Sequence, residues 1–489
     1  MNTPLRKVGV AMLVMVVLLL ANATYIQVVK ADDYRTDSRN TRVLYEEYAR
    51  QRGQIVASTN GAVLAKVEPS NDKYKFKRTY VDGAMYAPVT GYYSINYGSA
   101  GLERAEDDIL NGSDPRLFVR RLSDMVTGRD PRGGNVVLTI DPAVQKAAYD
   151  LMTQRGYTGS VVAMEPKTGR ILAMVSTPSY DPNLLAAHTT KEQLTAWTAS
   201  RDDPKNPMLN RAISETYPPG STFKLVTASA ALEAGMGPDT TVTNAPNVKL
   251  PGTQTTLENY GGAPCPGTTF KDALAHSCNV PFATFAGQLG KDKLTKAAQN
   301  FGIGQSDLTV PMRVAQSGLG PLDSQGALYQ SGIGQRDVKL TPLQDCLLSA
   351  TVANGGMAMK PQLVQSVLAP DLSTIENYSP AQLTGTAALS SANAAILRDM
   401  MVASEGFTGG GGKDGALQIA SKTGTAEHGT DSKNTAPHAW YTGFAPSNDP
   451  QIAVSVIVES GGNRGLAATG GSVAAEIGRA AIKAKLGGG

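Results

Sequence analysis

The sequence predicts an α+β protein. An antiparallel sheet of five strands carries a helical lobe and is preceded by a small mixed module and one apolar helix. Three observations predict it. Residues 8–29 form an apolar run suited to a membrane helix. Two strand-like segments at 160–175 and three at 416–460 sit at the two ends of the region after residue 134. The long middle between them, 215–405, is dominated by helical apolar spacing.

The 489-residue chain has room for two or three domains, and 41% hydrophobic residues supports a large core. The net charge of +3 is spread along the chain with no dense basic block, so no nucleic-acid partner is expected. The four histidines are scattered and no metal-ligand spacing occurs, so neither metal nor cofactor is expected.

Residues 1–7 carry Arg6 and Lys7 and read as a cytoplasmic tail. Residues 8–29 would span about 33 Å as a helix, enough for a bilayer core. Ala21-Asn22-Ala23 also fits a signal-peptide cleavage site, so removal of the segment stays open. On either reading everything after residue 30 lies outside the cytoplasm.

Residues 30–134 are polar and poor in long apolar runs, a modest extracytoplasmic module. "NTRVLYEEYARQRG" reads as a helix ending at Gly53. "GQIVASTNGAVLAK" reads as a hairpin about Asn60-Gly61.

Residues 135–489 form the main domain. "TIDPAVQKAAYDLMTQRG" has an Asp-Pro start, helical spacing and a terminal glycine. Two apolar runs, 160–164 and 171–175, then flank "EPKTGR", where Pro166 and Gly169 favour a turn. "ALQIASKTGTAE", "HAWYTGFAP" and "QIAVSVIVES" supply three more strands, and "GFTGGGGKDG" (406–415) is a flexible loop before the first of these. Cys346, inside "TPLQDCLLSATVAN", reads as a buried small hydrophobe. Cys265 and Cys278 lie close in sequence in an oxidising compartment, which leaves a disulfide and two free thiols both open.

"YPPGSTFKLVTASAALEAG" carries the strongest chemical signal. Pro218-Pro219-Gly220 cannot continue a helix, and 221–234 are nearly all small or apolar. Ser221 and Lys224 are spaced to share a helical face. A lysine in an apolar helix loses affinity for its proton and can serve a neighbouring hydroxyl as general base. The bland alternative makes Ser221 a helix cap and Lys224 a solvent-seeking side chain. S-x-x-K recurs at Ser70–Lys73 among polar residues, where a surface loop is the better reading. Ser277 and Asn279 follow in an apolar setting, with Thr269 and Asp272 as a capping box. S-x-N alone carries nothing, since Ser38-Arg39-Asn40 and Ser391-Ala392-Asn393 match too. Lys-Thr-Gly occurs at Lys167-Thr168-Gly169, between two strands, and at Lys422-Thr423-Gly424, within one.

The order Ser221-x-x-Lys224, Ser277-x-Asn279, Lys422-Thr423-Gly424 is that of the penicillin-recognising serine enzymes. The sequence resembles the class B penicillin-binding proteins, of the actinobacterial penicillin-binding protein A type. "VVAMEPKTGRILAMVSTPSYDPN", "NRAISETYPPGSTFK", "LTPLQDCLLSATVANGGMAMKP", "SKTGTAE" and "WYTGFAP" are similar to blocks of that family and in its order. "RGQIVASTNGAVLA" and "GSAGLE" resemble its N-terminal motifs. Cys278 departs from the aspartate of the usual middle motif and is left without a catalytic role.

The resemblance implies a peptidoglycan D,D-transpeptidase with a serine β-lactamase-like fold. Ser221 would be the nucleophile, Lys224 its base and Ser277 the relay to the leaving D-alanine. Asn279 would hold Lys224 and the donor peptide. Lys422 and the Thr423 and Thr425 hydroxyls would hold the substrate carboxylate, with Gly424 in the same substrate-binding segment and the amides of Ser221 and Thr425 as oxyanion hole. The implied partners are peptidoglycan stem peptides, β-lactams and a separate membrane glycosyltransferase, and homodimerisation through the N-terminal module is open. A D,D-carboxypeptidase, a β-lactamase, and a β-lactam-sensing or non-catalytic cell-wall protein are the rival functions. The implied location is the cell membrane, single-pass, with the catalytic domain outside.

Overall fold

The computed structural model describes residues 2–30, 34, 45, 47–117, 132–408, 417–431 and 434–487. Asn2–Thr24 is α-helical and continues as a π-helical turn over Tyr25–Val29. The span Pro4–Val29 is long and apolar enough to cross a membrane, and its apolar stretch is not buried against the other described residues.

The module beyond it contributes β1 (Ile55–Ala57), β2 (Val63–Pro69) and β3 (Phe76–Tyr80). β1 and β2 form the expected hairpin, with Asn60 Oδ1 accepting from the Ala62 amide. A short hairpin of β4 (Tyr93–Ser94) and β5 (Gly98–Ser99) follows. The helix expected to end at Gly53 falls mostly outside the described residues. Tyr45, Glu47 and Tyr48 are helical, but Gln51 already bridges to Arg132, so the helix stops earlier. Strand pairing there overrides helical spacing.

The rest of the chain supplies β6 (Asn135–Leu138), β7 (Gly159–Met164) and β8 (Ile171–Thr177). β9 (Asn247–Lys249) and β10 (Thr256–Glu258) form a small hairpin. β11 (Val364–Leu368) and β12 (Thr374–Asn377) precede β13 (Ala420–Ala426), β14 (His438–Ala445) and β15 (Ile452–Val458).

The main sheet has the order β13-β14-β15-β7-β8, antiparallel throughout, as the five strand-like segments predict. Alternation decides which face each side chain serves. Val161 and Ala163 of β7 pack with Val144 and Met152 of helix Pro142–Gln154 and Ile477 and Ile482 of helix Ala475–Leu486. Val162 and Met164 turn to the other face, against Leu343 and Leu347 of helix Pro342–Ala353. A sheet buried on both faces explains the near-continuous apolar strands. Each fully buried side chain of this size contributes about 1.5–3 kcal/mol. β13 is an edge, and helices Lys224–Glu233, Phe270–Ala275, Asn279–Asn300 and Ser391–Phe407 build the lobe beside it.

A second sheet has the order β12-β11-β6-β1-β2-β3, with β1 parallel to β6 and the rest antiparallel. The expected boundary between residues 134 and 135 therefore runs through a sheet. Strands at 135–138 and 364–377 complete the module, the latter interrupting the middle region where helical spacing dominates. Of the glycine-rich loop at 406–415, residues 409–415 lie outside the described residues.

Candidate active site

Gly220 holds φ +55° and its amide donates to Gly334 O at 2.9 Å. The chain then turns through a 3₁₀ segment, Gly220–Phe223, before the α-helix starts at Lys224. The α-helix thus starts three residues later than a start at Ser221. Thr222 Oγ1 donates to Pro219 O at 3.1 Å and keeps the turn tight. Ser221 is half-buried inside this turn and does not cap it. Residues three apart in a 3₁₀ turn eclipse, which sets Lys224 on the side of Ser221.

Lys224 is fully buried, which removes the solvent-seeking alternative. Its Nζ donates to Ser277 O at 2.7 Å and Asn279 Oδ1 at 2.8 Å, with Ser277 Oγ at 3.4 Å. The Phe282 ring lies 5.6 Å away. Burial, and then the charge of Lys422, holds the Lys224 ammonium well below the usual lysine range.

Ser277 sits at the break between Phe270–Ala275 and Asn279–Asn300. Its φ of +58° is rare for a side-chain-bearing residue. That conformation lets one residue present both its carbonyl and its hydroxyl to lysines. Thr269 and Asp272 form the expected capping box upstream. Downstream, Asn259 Oδ1 accepts from the amides of Asn279 and Val280 at 2.8 and 3.0 Å, capping the next helix. Cys278 and Cys265 are joined as a disulfide, with Cα atoms 5.7 Å apart, tying this break to the loop that carries Asn259.

Lys422 enters from β13, also fully buried. Its Nζ donates to Ser277 Oγ at 2.7 Å and Thr423 O at 2.9 Å. Burial pushes it down to about 7. Thr423 and Thr425 line an open cleft together with Ser221, Ser277 and Asn279. Gly424 is buried instead: a Cβ there would lie 2.7 Å from Pro219 O and 3.1 Å from Trp440 Cβ. A Cβ on Gly220 would likewise meet Thr425 O at 2.7 Å. The two glycines let β13 and the Ser221 turn touch backbone to backbone, so Gly424 acts as a spacer beside the cleft.

The decoy motifs lie elsewhere. Lys167-Thr168-Gly169 is the β7–β8 turn, with Gly169 at φ +79° and Lys167 paired to Asp449 at 2.8 Å. Ser70–Lys73 is a surface loop whose lysine donates to Tyr45 OH at 3.0 Å.

Two supporting residues were missed in the sequence. Trp440 Nε1 donates to Pro218 O at 3.0 Å, bracing the turn from β14. Asn259 lies twenty-odd positions from its amide partners, and nothing local in "LENYGG" marks it. Cys346 is fully buried in its helix, in keeping with the small-hydrophobe reading.

The family model described as the penicillin binding protein transpeptidase domain matches residues 159–483. The penicillin binding protein A dimerisation domain matches residues 52–136. Peptidoglycan D,D-transpeptidase PbpA of Mycolicibacterium smegmatis is 56% identical over 99% of both chains. The protein of that name from Mycobacterium tuberculosis is 51% identical, again over 99% of both. Among solved structures, penicillin-binding protein A of M. tuberculosis as its ceftriaxone acyl-enzyme superposes with a TM-score of 0.88. It is 50% identical and covers 90% of this chain and 100% of that one.

Proposed function

The chain belongs to the penicillin-binding protein transpeptidases, and on that footing we propose that it cross-links peptidoglycan stem peptides through an acyl-enzyme on Ser221. It is a D,D-transpeptidase acylated by β-lactams, as its relatives' names and acyl-enzyme structures describe for them. Ser221 Oγ attacks the carbonyl between the two terminal D-alanines, and neutral Lys224 Nζ takes its proton. Ser277 Oγ, hydrogen-bonded to Lys422, passes a proton to the leaving D-alanine nitrogen. The Ser221 and Thr425 amides receive the oxyanion; one such donor typically contributes about 2.7–4 kcal/mol. Lys422, Thr423 and Thr425 hold the terminal carboxylate. The proton given to the leaving nitrogen is the one Lys224 took, relayed by Ser277; an amine of a second stem then attacks the ester carbon and gives up its own proton through Ser277 and Lys224 to the departing Ser221 oxygen.

One observation carries this reading most: a fully buried Lys224, tied to Ser277 and Asn279, with a second buried lysine on the same serine. Labelling with a fluorescent penicillin tests it. Ser221→Ala must lose the label and Ser70→Ala must keep it. Cross-linking of a lipid-linked precursor, with a glycosyltransferase and with or without penicillin, tests the acceptor. Hydrolysis without cross-linked product would favour a D,D-carboxypeptidase.

Residues 8–29 serve as the membrane anchor and 1–7 as the cytoplasmic tail, with the catalytic domain outside. The module that matches a dimerisation domain supports pairing with a second copy. No glycosyltransferase half fits between the anchor and residue 135, so the glycan strand comes from a separate membrane enzyme.

A further inference from the structure

One end of the cleft opens onto an aromatic platform that the reaction above does not use. Helix Thr190–Asp202 carries Trp197, Ser200 and Arg201 at spacings that share one face. Tyr97, from the turn between β4 and β5, lies flat on the indole, with centroids 4.5 Å apart and planes 8° from parallel. Tyr92 meets the same indole edge-on at 6.2 Å, and Tyr180 meets Tyr92 likewise. Hydrogen bonds pin hairpin and helix together: buried Gln193 accepts from Ser94 Oγ at 2.7 Å and from the Asn96 amide at 3.1 Å. The indole is thereby held in one orientation. It is half-buried, and among the described residues its Nε1 has no hydrogen-bond partner.

Trp197, Ser200 and Arg201 face Asn206, Met208 and Leu209 across a shallow pocket. Asn206 and Leu209 also line the cleft of Ser221, so pocket and cleft are continuous. Contacts along the cleft wall lead from β13 to this pocket. Ala426 pairs with His438, and Tyr217 packs edge-on against His438 with centroids 5.4 Å apart. The Tyr217 hydroxyl and Arg211 Nε both donate to Glu459 Oε1, at 2.7 and 2.8 Å. Arg211 Nη2 and Nη1 then donate to Lys205 O at 2.6 Å and Asn206 O at 3.3 Å, which fixes the rim shared by cleft and pocket.

We propose that the Trp197 pocket binds the glycan strand to which the donor stem is joined. The inference rests on the reading of Ser221 and β13 given above. With its carboxylate toward Lys422 and its scissile carbonyl at the Thr425 amide, the donor points toward Ala426 and leaves the cleft past Tyr217, Arg211 and Asn206. The sugar at the head of the stem then arrives beside Trp197. The chemistry of the pocket matches it. A pyranose has an apolar face of C–H groups and a rim of hydroxyl and acetamido groups. The indole supplies a flat apolar surface with one N–H at its edge. The Ser200 hydroxyl and the Asn206 carboxamide add donors and acceptors around it. A lipid phosphate would require surplus positive charge, and Asp202, paired with Arg201 at 2.7 Å, cancels that charge.

The test uses full-length protein in detergent and has two arms. The chain has two tryptophans, and Trp440 is fully buried, so quenching of intrinsic fluorescence by acrylamide reports on Trp197. The first arm adds a peptide-free tetrasaccharide of alternating N-acetylglucosamine and N-acetylmuramic acid. It is expected to lower the quenching constant about twofold or more, whether or not Ser221 has been acylated by penicillin, and a dextran tetrasaccharide is expected to leave it unchanged. The second arm compares a disaccharide-pentapeptide with the same pentapeptide alone, by the concentration that halves acylation by a fluorescent penicillin. Wild type should favour the glycosylated peptide about threefold to tenfold. Trp197→Leu should bring that ratio close to one, and a ratio within one variant is not imitated by a general loss of activity. Unchanged quenching with the glycan, equal protection by dextran, equal halving concentrations in wild type, or an undiminished ratio in Trp197→Leu each overturns the assignment. Wild-type protein that penicillin never acylates would instead remove the reading beneath it, and the first arm would still decide whether Trp197 binds glycan.

Discussion

Lys224 and Lys422 reach the same hydroxyl: Ser277 Oγ lies 2.7 Å from Lys422 Nζ and 3.4 Å from Lys224 Nζ. Two buried ammonium groups this close do not both hold a proton cheaply, and the pair titrates as a unit. Lys224 is the more depressed, by burial and then by Lys422. The roles divide accordingly. On the function proposed above, Lys224 is the base toward Ser221 and Lys422 the positive charge toward the substrate carboxylate.

The pH dependence of acylation follows. Lys422 is pushed down to about 7 by burial. The second-order rate of penicillin acylation is expected to fall above that pH, as loss of the charge weakens the hold on the carboxylate. Arginine stays charged throughout this range. Lys422→Arg should therefore lose the alkaline limb, and should react more slowly near pH 6 because a planar guanidinium replaces a point donor. Gel-based acylation rates from pH 5.5 to 9 check both; an unmoved limb in the variant assigns it to another group.

Asn259 supports the break at Ser277 from outside the motif. Its Oδ1 caps Asn279 and Val280, and its Nδ2 donates to Ala245 O and Ala263 O at 3.0 and 3.1 Å. Asn259→Ala is expected to cost about 1–2 kcal/mol of stability. It should also slow acylation severalfold, because Asn279 and Ser277 lose their footing. Asn259→Asp keeps the acceptor and should recover most of the rate. Thermal melts beside acylation rates separate the two effects.

Gly424→Ala drives a methyl group to 2.7 Å from Pro219 O. The strand must retreat from the Ser221 turn, and overpacking of this kind costs about 1–3 kcal/mol. Displacing the Thr425 amide from the oxyanion should lower acylation about a hundredfold or more. Gly385→Ala, with nothing within 4 Å of its Cβ, is the control and should change neither quantity. A fully active Gly424→Ala would show that the close approach is dispensable.

Asp345 lies under the main sheet, fully buried, with Ser455 Oγ donating to its Oδ2 at 2.7 Å. Burial pushes its carboxyl up to about 6. The folded protein then binds this proton more tightly than the unfolded chain does. The associated stability is full below the unfolded value near 3.9 and is lost as pH rises through 6, by up to about 1.4 kcal/mol per unit. Denaturant titrations at pH 4, 5, 6 and 7 should show that slope in wild type minus Asp345→Asn.

The main sheet and the motif order were legible because each rests on local signals. Short apolar runs marked β7, β8, β14 and β15, and Pro166 and Gly169 marked the turn that disqualified the first Lys-Thr-Gly. The start of the nucleophile helix was misplaced because the 3₁₀ turn depends on Gly220 meeting Gly334 and Thr425, contacts made across the fold. β11 and β12 were missed because their short runs acquire meaning only beside β6. Asn259 depends on partners far along the chain, and spacing carries no trace of it.

The sheet shared by β1–β3, β6, β11 and β12 has a consequence for how the molecule is made and how it bears load. The first three strands leave the ribosome long before residues 364–377 exist, and non-local pairing of this kind is intrinsically slow. Until then their free edge needs shielding from other chains. Once closed, the sheet joins β1–β3 to β6 and β11 through backbone hydrogen bonds. A load applied between the N-terminal module and the catalytic region would then be carried by that seam of peptide groups.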